Sequence, residues 1–163
     1  MKIKVLGVLA GVALLTGACT DSHLIDMVDG MKPAVQGFKA NLHSQYTALS
    51  KVELAEGDHF DAGFFARRAE SAALGKDVLP DSLWDRDYTD ANRVLVHRER
   101  GRLMYALDSG GREQFPDFAA TAQSQFDCWV QELEENYQPD DIKRCRDGYE
   151  AAITALEDAM KPK

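Results

Sequence analysis

The 163-residue sequence contains no GxSxG turn, no phosphate-binding loop and no dinucleotide fingerprint. It also has no CxxC pair and no two histidines at helical ligand spacing. Each absence removes a class of chemistry. A zinc centre would need a spaced Cys/His ligand set, and none is available. Serine hydrolases and nucleotide enzymes would need glycine-shaped turns that present a nucleophile or cradle phosphates. Positive charge is in deficit: 19 Lys+Arg stand against 27 Asp+Glu, a net of −8, which opposes binding to nucleic acid or to anionic headgroups. No catalytic constellation, metal site or cofactor is therefore expected, and nucleic acid is excluded as a partner.

Long apolar runs are also missing. Val5 to Leu15 is an uncharged, mostly apolar stretch of 11 residues, too short for a bilayer core, which takes about 20 helical residues. It follows the basic start Met1-Lys2-Ile3-Lys4 and precedes Leu15-Thr16-Gly17-Ala18-Cys19. A basic start, a short apolar run and small residues before a cut make a signal peptide. Ending the run on a cysteine resembles a bacterial lipobox, although Thr16 stands where Leu is commonest. The resemblance implies cleavage after residue 18, lipidation of Cys19 and anchoring of the remainder to a membrane. Several acyl chains, at about 0.8 kcal/mol per buried methylene, make such an anchor effectively permanent. Thr20 follows the cysteine, and Asp21 comes one position too late for the inner-membrane retention signal. The outer membrane is the expected location, and the leader's loss of Lys2 and Lys4 makes the exported part more acidic still.

Residues 19–34 contain Asp21, Ser22, Asp29, Gly30 and Pro33 and are expected to form a tether with, at most, a short helical turn in its middle; residues 35–163 are expected to form one helical domain. Five helical segments and no convincing strand follow from 3-to-4 periodicity, so the fold class is all-α, a small bundle. Val35, Phe38, Leu42, Tyr46, Leu49 and Val52 mark the first segment, ending near Gly57. Phe60, Phe64, Phe65, Ala69 and Ala72 mark the second, ending near Gly75. Residues 76–90 form a connector, with Leu83 and Trp84 expected to tuck onto the core. Asp90 is the expected N-cap of a third segment, Ala91 to Leu107, which Gly110 and Gly111 terminate. Within it Gly101 either costs about 1 kcal/mol against Ala or admits a neighbouring helix. The fourth starts near Pro116 and carries Phe118, Ala122, Phe126, Trp129, Val130, Leu133 and Tyr137. A turn at Gln138-Pro139 leads into the fifth, through Ile142, Cys145, Tyr149, Ala152, Leu156 and Met160. The last two make an antiparallel hairpin.

Setting Cys19 aside, Cys128 and Cys145 are the remaining cysteines. In an oxidising compartment such a pair is expected to form a disulfide, the alternative being two free buried thiols. They flank the turn near Pro139, and at about 1.5 Å per residue their heights differ by about one turn, which a hairpin absorbs. On a helical wheel Cys128 lies with Thr121, Ser124 and Gln131, away from Trp129. The bond would then set the fifth helix on the polar side of the fourth and leave Trp129 facing the first three. His59, near Asp58 and Asp61, reads as part of a capped turn rather than a metal ligand. Glu134-Glu135 and Asp140-Asp141 are not a paired-carboxylate site, because adjacent helical residues diverge by about 100°. They read as a solvated face and a helix start.

Phe126-Asp127-Cys128-Trp129, Glu134-Glu135-Asn136, Gln138-Pro139-Asp140-Asp141-Ile142 and Cys145-Arg146 together resemble the N-terminal helical region of OmpA-family lipoproteins of Gram-negative bacteria. Glu56-Gly57-Asp58, Phe64-Phe65-Ala66 and Ala106 to Gly111 extend the likeness, which runs from about Gly37 to Leu156. It implies the lipid anchor, the helical module and the cysteine pair. In that family a C-terminal α/β domain binds peptidoglycan through an asparagine, an aspartate and an arginine. Those residues have no counterparts here, so peptidoglycan binding is not expected. The functional expectation is an outer-membrane lipoprotein acting as a structural or protein-interaction module of the envelope, with an envelope protein as partner. The alternatives are a small-ligand carrier or chaperone, using a groove lined by Phe60, Phe64, Phe65, Trp84 and Trp129, and, less favoured, an enzyme acting on cell-wall glycan.

Overall fold

The computed structural model describes residues 16–84 and 86–162, with side chains from Ser22 onward. The basic start and apolar run of the expected leader, and the Cys19 side chain, lie outside the described residues. Six helices and no strand are present among those described: α1 (Thr16–Gly30), α2 (Phe38–Glu56), α3 (His59–Ala73), α4 (Asp90–Ala106), α5 (Pro116–Glu135) and α6 (Pro139–Ala159). The last five match the expected segments. The first replaces the expected tether.

That difference has a plain cause. Leu24, Ile25, Val28 and Met31 recur at three- and four-residue spacing, a stripe masked by the polar residues around it. Ile25 and Val28 are 2% and 0% exposed, and α1 lies mainly against α3. Full burial of each is worth about 1.5–3 kcal/mol, more than a Ser/Asp-rich segment gains from staying solvated. A backbone bond from Ala34 N–H to Ala73 O (2.8 Å) fastens the α1–α2 link to the end of α3.

The other boundaries follow local chemistry. Gly57 closes α2 in the left-handed region (φ 89°), and the Asp58 carboxylate accepts from the Asp61 N–H at 2.9 Å to start α3. The Asp58 side chain is thus the cap expected beside His59. Thr89, not Asp90, caps α4, its hydroxyl accepting from the Asn92 N–H at 3.3 Å. A π-turn over Leu107–Gly111 ends that helix, with Gly110 at φ 102°. A Cβ on Gly111 would meet the Ala106 carbonyl oxygen at 2.6 Å, so any other residue here forces the backbone to shift. Gly101, by contrast, is exposed with no neighbour within 4 Å, and no helix approaches it. Pro116 opens α5, Asn136 (φ 51°) closes it, and Pro139 opens α6.

α5 is the central element. It pairs with α6 along its length, and α2 lies along another side. Gln123, Ser124, Asp127, Gln131 and Glu132 are buried on it alongside Phe126, Trp129 and Val130. The expected division of α5 into a polar and an apolar side is therefore corrected. Trp129 stacks on Tyr149 of α6 with centroids 5.6 Å apart, and Phe126 meets the same ring edge-on at 5.4 Å. The face bearing Trp129 and the face bearing Cys128 are both covered by α6, while α2 and the α3–α4 connector cover the polar remainder. The Tyr149 hydroxyl donates to Glu99 O at 3.0 Å, tying α6 to α4.

Candidate functional site

Cys128 and Cys145 are joined by a disulfide, with Cα atoms 5.6 Å apart across the α5–α6 hairpin. Both are fully buried. The bond braces the fold and offers no exposed thiol. Cys19 falls within the backbone of α1 and has no described side chain.

The polar interior is organised by Asp127. Its carboxylate accepts from Arg68 Nη2 at 2.7 Å, from the Asp81 N–H at 2.8 Å and from the Tyr46 hydroxyl. Arg68 also donates to Tyr46 Oη at 2.9 Å, and Gln123 Nε2 donates to that oxygen at 3.0 Å and to Val78 O at 2.8 Å. Burial pushes the Asp127 carboxyl up against the pull of Arg68. The guanidinium is desolvated too, but Asp127 and Tyr46 more than compensate and hold its proton more tightly than usual. Three helices (α2, α3 and α5) and the connector thus meet at one carboxylate, which clamps the connector through Asp81.

The connector is clamped from the other side as well. Arg100 of α4 donates to Asp81 O at 2.7 Å and Pro80 O at 2.9 Å, and Arg86 binds Asp81 and Glu134. Arg100 is therefore a strut from α4 to the connector, and Glu134 is an anchor point rather than a solvated acid. Tyr88 donates its hydroxyl to Val130 O at 2.7 Å.

Between α3 and this rigid connector runs an open groove of about 630 Å³, with Phe64, Arg68, Lys76, Leu79, Pro80 and Arg100 among its walls. A second hollow of about 360 Å³ continues past Phe60 and Phe64 toward Glu135. Phe60, Leu79 and Trp84 are 76%, 54% and 88% exposed. Leu83 is buried as expected, but Trp84 is turned out, since neighbouring residues of an extended segment point to opposite sides. The aromatics expected to line a carrier groove are not brought together: Phe65 and Trp129 belong to the core, and Phe60, Phe64 and Trp84 face the surface or the groove. The two groove acids are already paired, Asp77 with Lys39 at 2.7 Å and Asp81 with Arg86.

At the end of the bundle where α2 and α5 finish and α6 begins, carboxylates gather. Glu53, Glu56 and Glu132 bring oxygens within 4.8 Å of one another, and Asp58, Asp61 and Glu135 do the same beside them. Burial, then the charge of Glu132, pushes Glu53 up to about 8. Burial, then Asp141, pushes Glu132 to about 7. Asp61 also rises to about 7, through burial and a hydrogen bond with Glu135. Asp58, Asp61 and Glu135 drew notice in the sequence only as a capped turn and a solvated face, and Glu53 and Glu132 drew none, because no linear spacing shows that two helix ends converge. No helix among the described residues is long and apolar enough to cross a membrane. No protein-family model, curated protein or solved structure matches the chain.

Proposed function

We propose that the protein is an outer-membrane lipoprotein, anchored through acylated Cys19, whose helical domain serves as a protein-interaction module of the cell envelope and not as an enzyme. The sequence of the leader supports the anchor, and the likeness of residues 126–146 to OmpA-family lipoproteins supports the envelope setting. One observation carries the interaction reading: Leu79 stands exposed in the wall of a groove fixed by buried ion pairs, Phe60 in the hollow that adjoins it, and Trp84 is exposed on the same connector as Leu79. Large apolar side chains held in water by a rigid frame favour a partner that covers them. Charge indicates the partner's chemistry. On a chain of net −8, the groove's acids are neutralised while Arg100 bonds to carbonyl oxygens and keeps its charge. An acidic segment bearing an apolar side chain fits such a groove.

Site-specific photocrosslinking in intact cells tests this. A photoreactive residue at Phe60 or Trp84 should capture a discrete envelope protein, and one at exposed Thr154 on α6 should not. Replacing Cys19 by Ser should remove the protein from the outer-membrane fraction. Equal capture at Thr154, or unchanged fractionation of the Cys19→Ser variant, would sink the corresponding half of the reading.

A further inference from the structure

The carboxylates at the α2–α5 end have an unresolved charge balance. Glu53 and Glu132 are 2% and 1% exposed. Glu53 Oε1 and both oxygens of Glu132 are buried with no hydrogen-bond partner. Both residues sit in the last turn of their helices, where the helix dipole is negative and adds to the repulsion. The groups facing them are nearly all acidic: Glu56 from α2, Asp61 from α3, Glu135 from α5 and Asp141 from α6. Among the described residues the cation facing them is Arg144 of α6, whose Nη2 is 3.9 Å from both Glu56 Oε1 and Glu132 Oε1, beyond hydrogen-bonding reach. Arg144 is committed to Asp141 at 2.9 Å.

We propose that Glu53, Glu56 and Glu132 form a binding site for a hard divalent cation of the calcium class. Three observations converge on it. The donors are all carboxylate oxygens, the set that selects Ca²⁺ or Mg²⁺ over zinc or copper. Their mutual separation, within 4.8 Å, is what one ion permits, since two oxygens at about 2.4 Å from a shared Ca²⁺ are at most about 4.8 Å apart. Glu53 Oε1 and both oxygens of Glu132 are buried without a hydrogen-bond partner, Arg144 reaching Glu132 only as a 3.9 Å ion pair, and both residues contribute an oxygen to the cluster; Glu56 Oε2 accepts from Gln138 at 3.3 Å and leaves its other oxygen for the site. Glu56 is exposed and leaves the site open to solvent on one side, where water completes the coordination. The second trio differs: Asp58 caps α3, and Glu135 accepts from Gln131 at 2.7 Å, so its oxygens are already used.

The sign of the pH dependence follows. Carboxyls whose folded pKa lies above the ordinary 4.5 bind protons more tightly in the folded state. Metal-free stability therefore falls as pH rises from about 4.5 to about 8. A cation competes with those protons, so its effect grows over the same window. In thermal melts of the full-length protein in detergent, Ca²⁺ at about tenfold over a Kd of roughly 0.1–1 mM should raise Tm by about 3–6 °C near pH 8.5 and negligibly near pH 5. Glu132→Gln should raise the metal-free Tm near pH 8.5 and abolish the Ca²⁺ shift. Glu56→Gln, at an exposed position, should weaken the shift without threatening the fold. Arg144→Ala should keep or enlarge it, because Arg144 is the rival occupant. The site is refuted by no Ca²⁺ shift near pH 8.5, by an equal shift from NaCl at matched ionic strength, or by a shift that survives in both Glu variants.

Discussion

Replacing Asp127 by Ala removes the carboxylate on which α2, α3, α5 and the connector converge. Three donors lose their acceptor: the Arg68 guanidinium, the Tyr46 hydroxyl and the Asp81 N–H. Arg68 is the costly one, because its side chain is only 16% exposed. Breaking a buried ion pair by deleting one partner costs about 3–5 kcal/mol, since the surviving charge stays desolvated. Arg68 keeps Leu79 O and the Tyr46 oxygen as acceptors, which places the expected loss near the lower end, about 3–4 kcal/mol. Urea denaturation followed by fluorescence of the buried Trp129 measures it. The double variant Asp127→Ala/Arg68→Met should lose less than Asp127→Ala alone, because the orphaned charge is then gone. A loss below about 1 kcal/mol in the single variant, or simple additivity in the double, would refute the account of Asp127 as the organising acceptor.

Two glycines of one region should respond with opposite signs. Gly101→Ala should stabilise by about 0.5–1 kcal/mol, since the position is an exposed helix interior with open space around it. Gly111→Ala should destabilise by roughly 1–3 kcal/mol, because the new methyl meets the Ala106 carbonyl; thermal melts of the pair that share one sign would contradict the packing described. Reducing the disulfide, whose cysteines are 17 residues apart in sequence, should cost about 3 kcal/mol on the chain-entropy model. Labelling of unfolded, unreduced protein should find neither Cys128 nor Cys145, and two labelled thiols would remove the bond from the native molecule.

Much of this architecture was legible because it rests on short-range pattern. Helices α2 to α6 announce themselves through 3-to-4 apolar spacing, and Pro116, Pro139 and Gly57 mark boundaries that the structure keeps. Helix α1 escaped because its stripe is brief and its polar residues dominate by count, while its stability comes from α3. The wheel of α5 misled for a related reason. A wheel assumes one wet side, and α5 has none along its middle, so Asp127, Gln123 and Glu132 are polar yet interior. The groove and the carboxylate cluster were the least legible. Arg100 and Asp81, or Glu53 and Glu132, become neighbours only once α2, α4 and the connector have closed on α5.

Helix α1 bears on how far the domain can range. If Cys19 carries lipid, it sits six residues before buried Ile25 within one helix, a rise of roughly 9 Å. A flexible linker of similar length would let the domain sweep a wide volume and dilute its encounters. A docked helix allows almost no sweep. The domain would then be a bracket fixed against the bilayer, with each face at a set height and tilt. A partner would have to come to the membrane surface to meet it, and lengthening the linker would weaken the encounter without altering one contact residue.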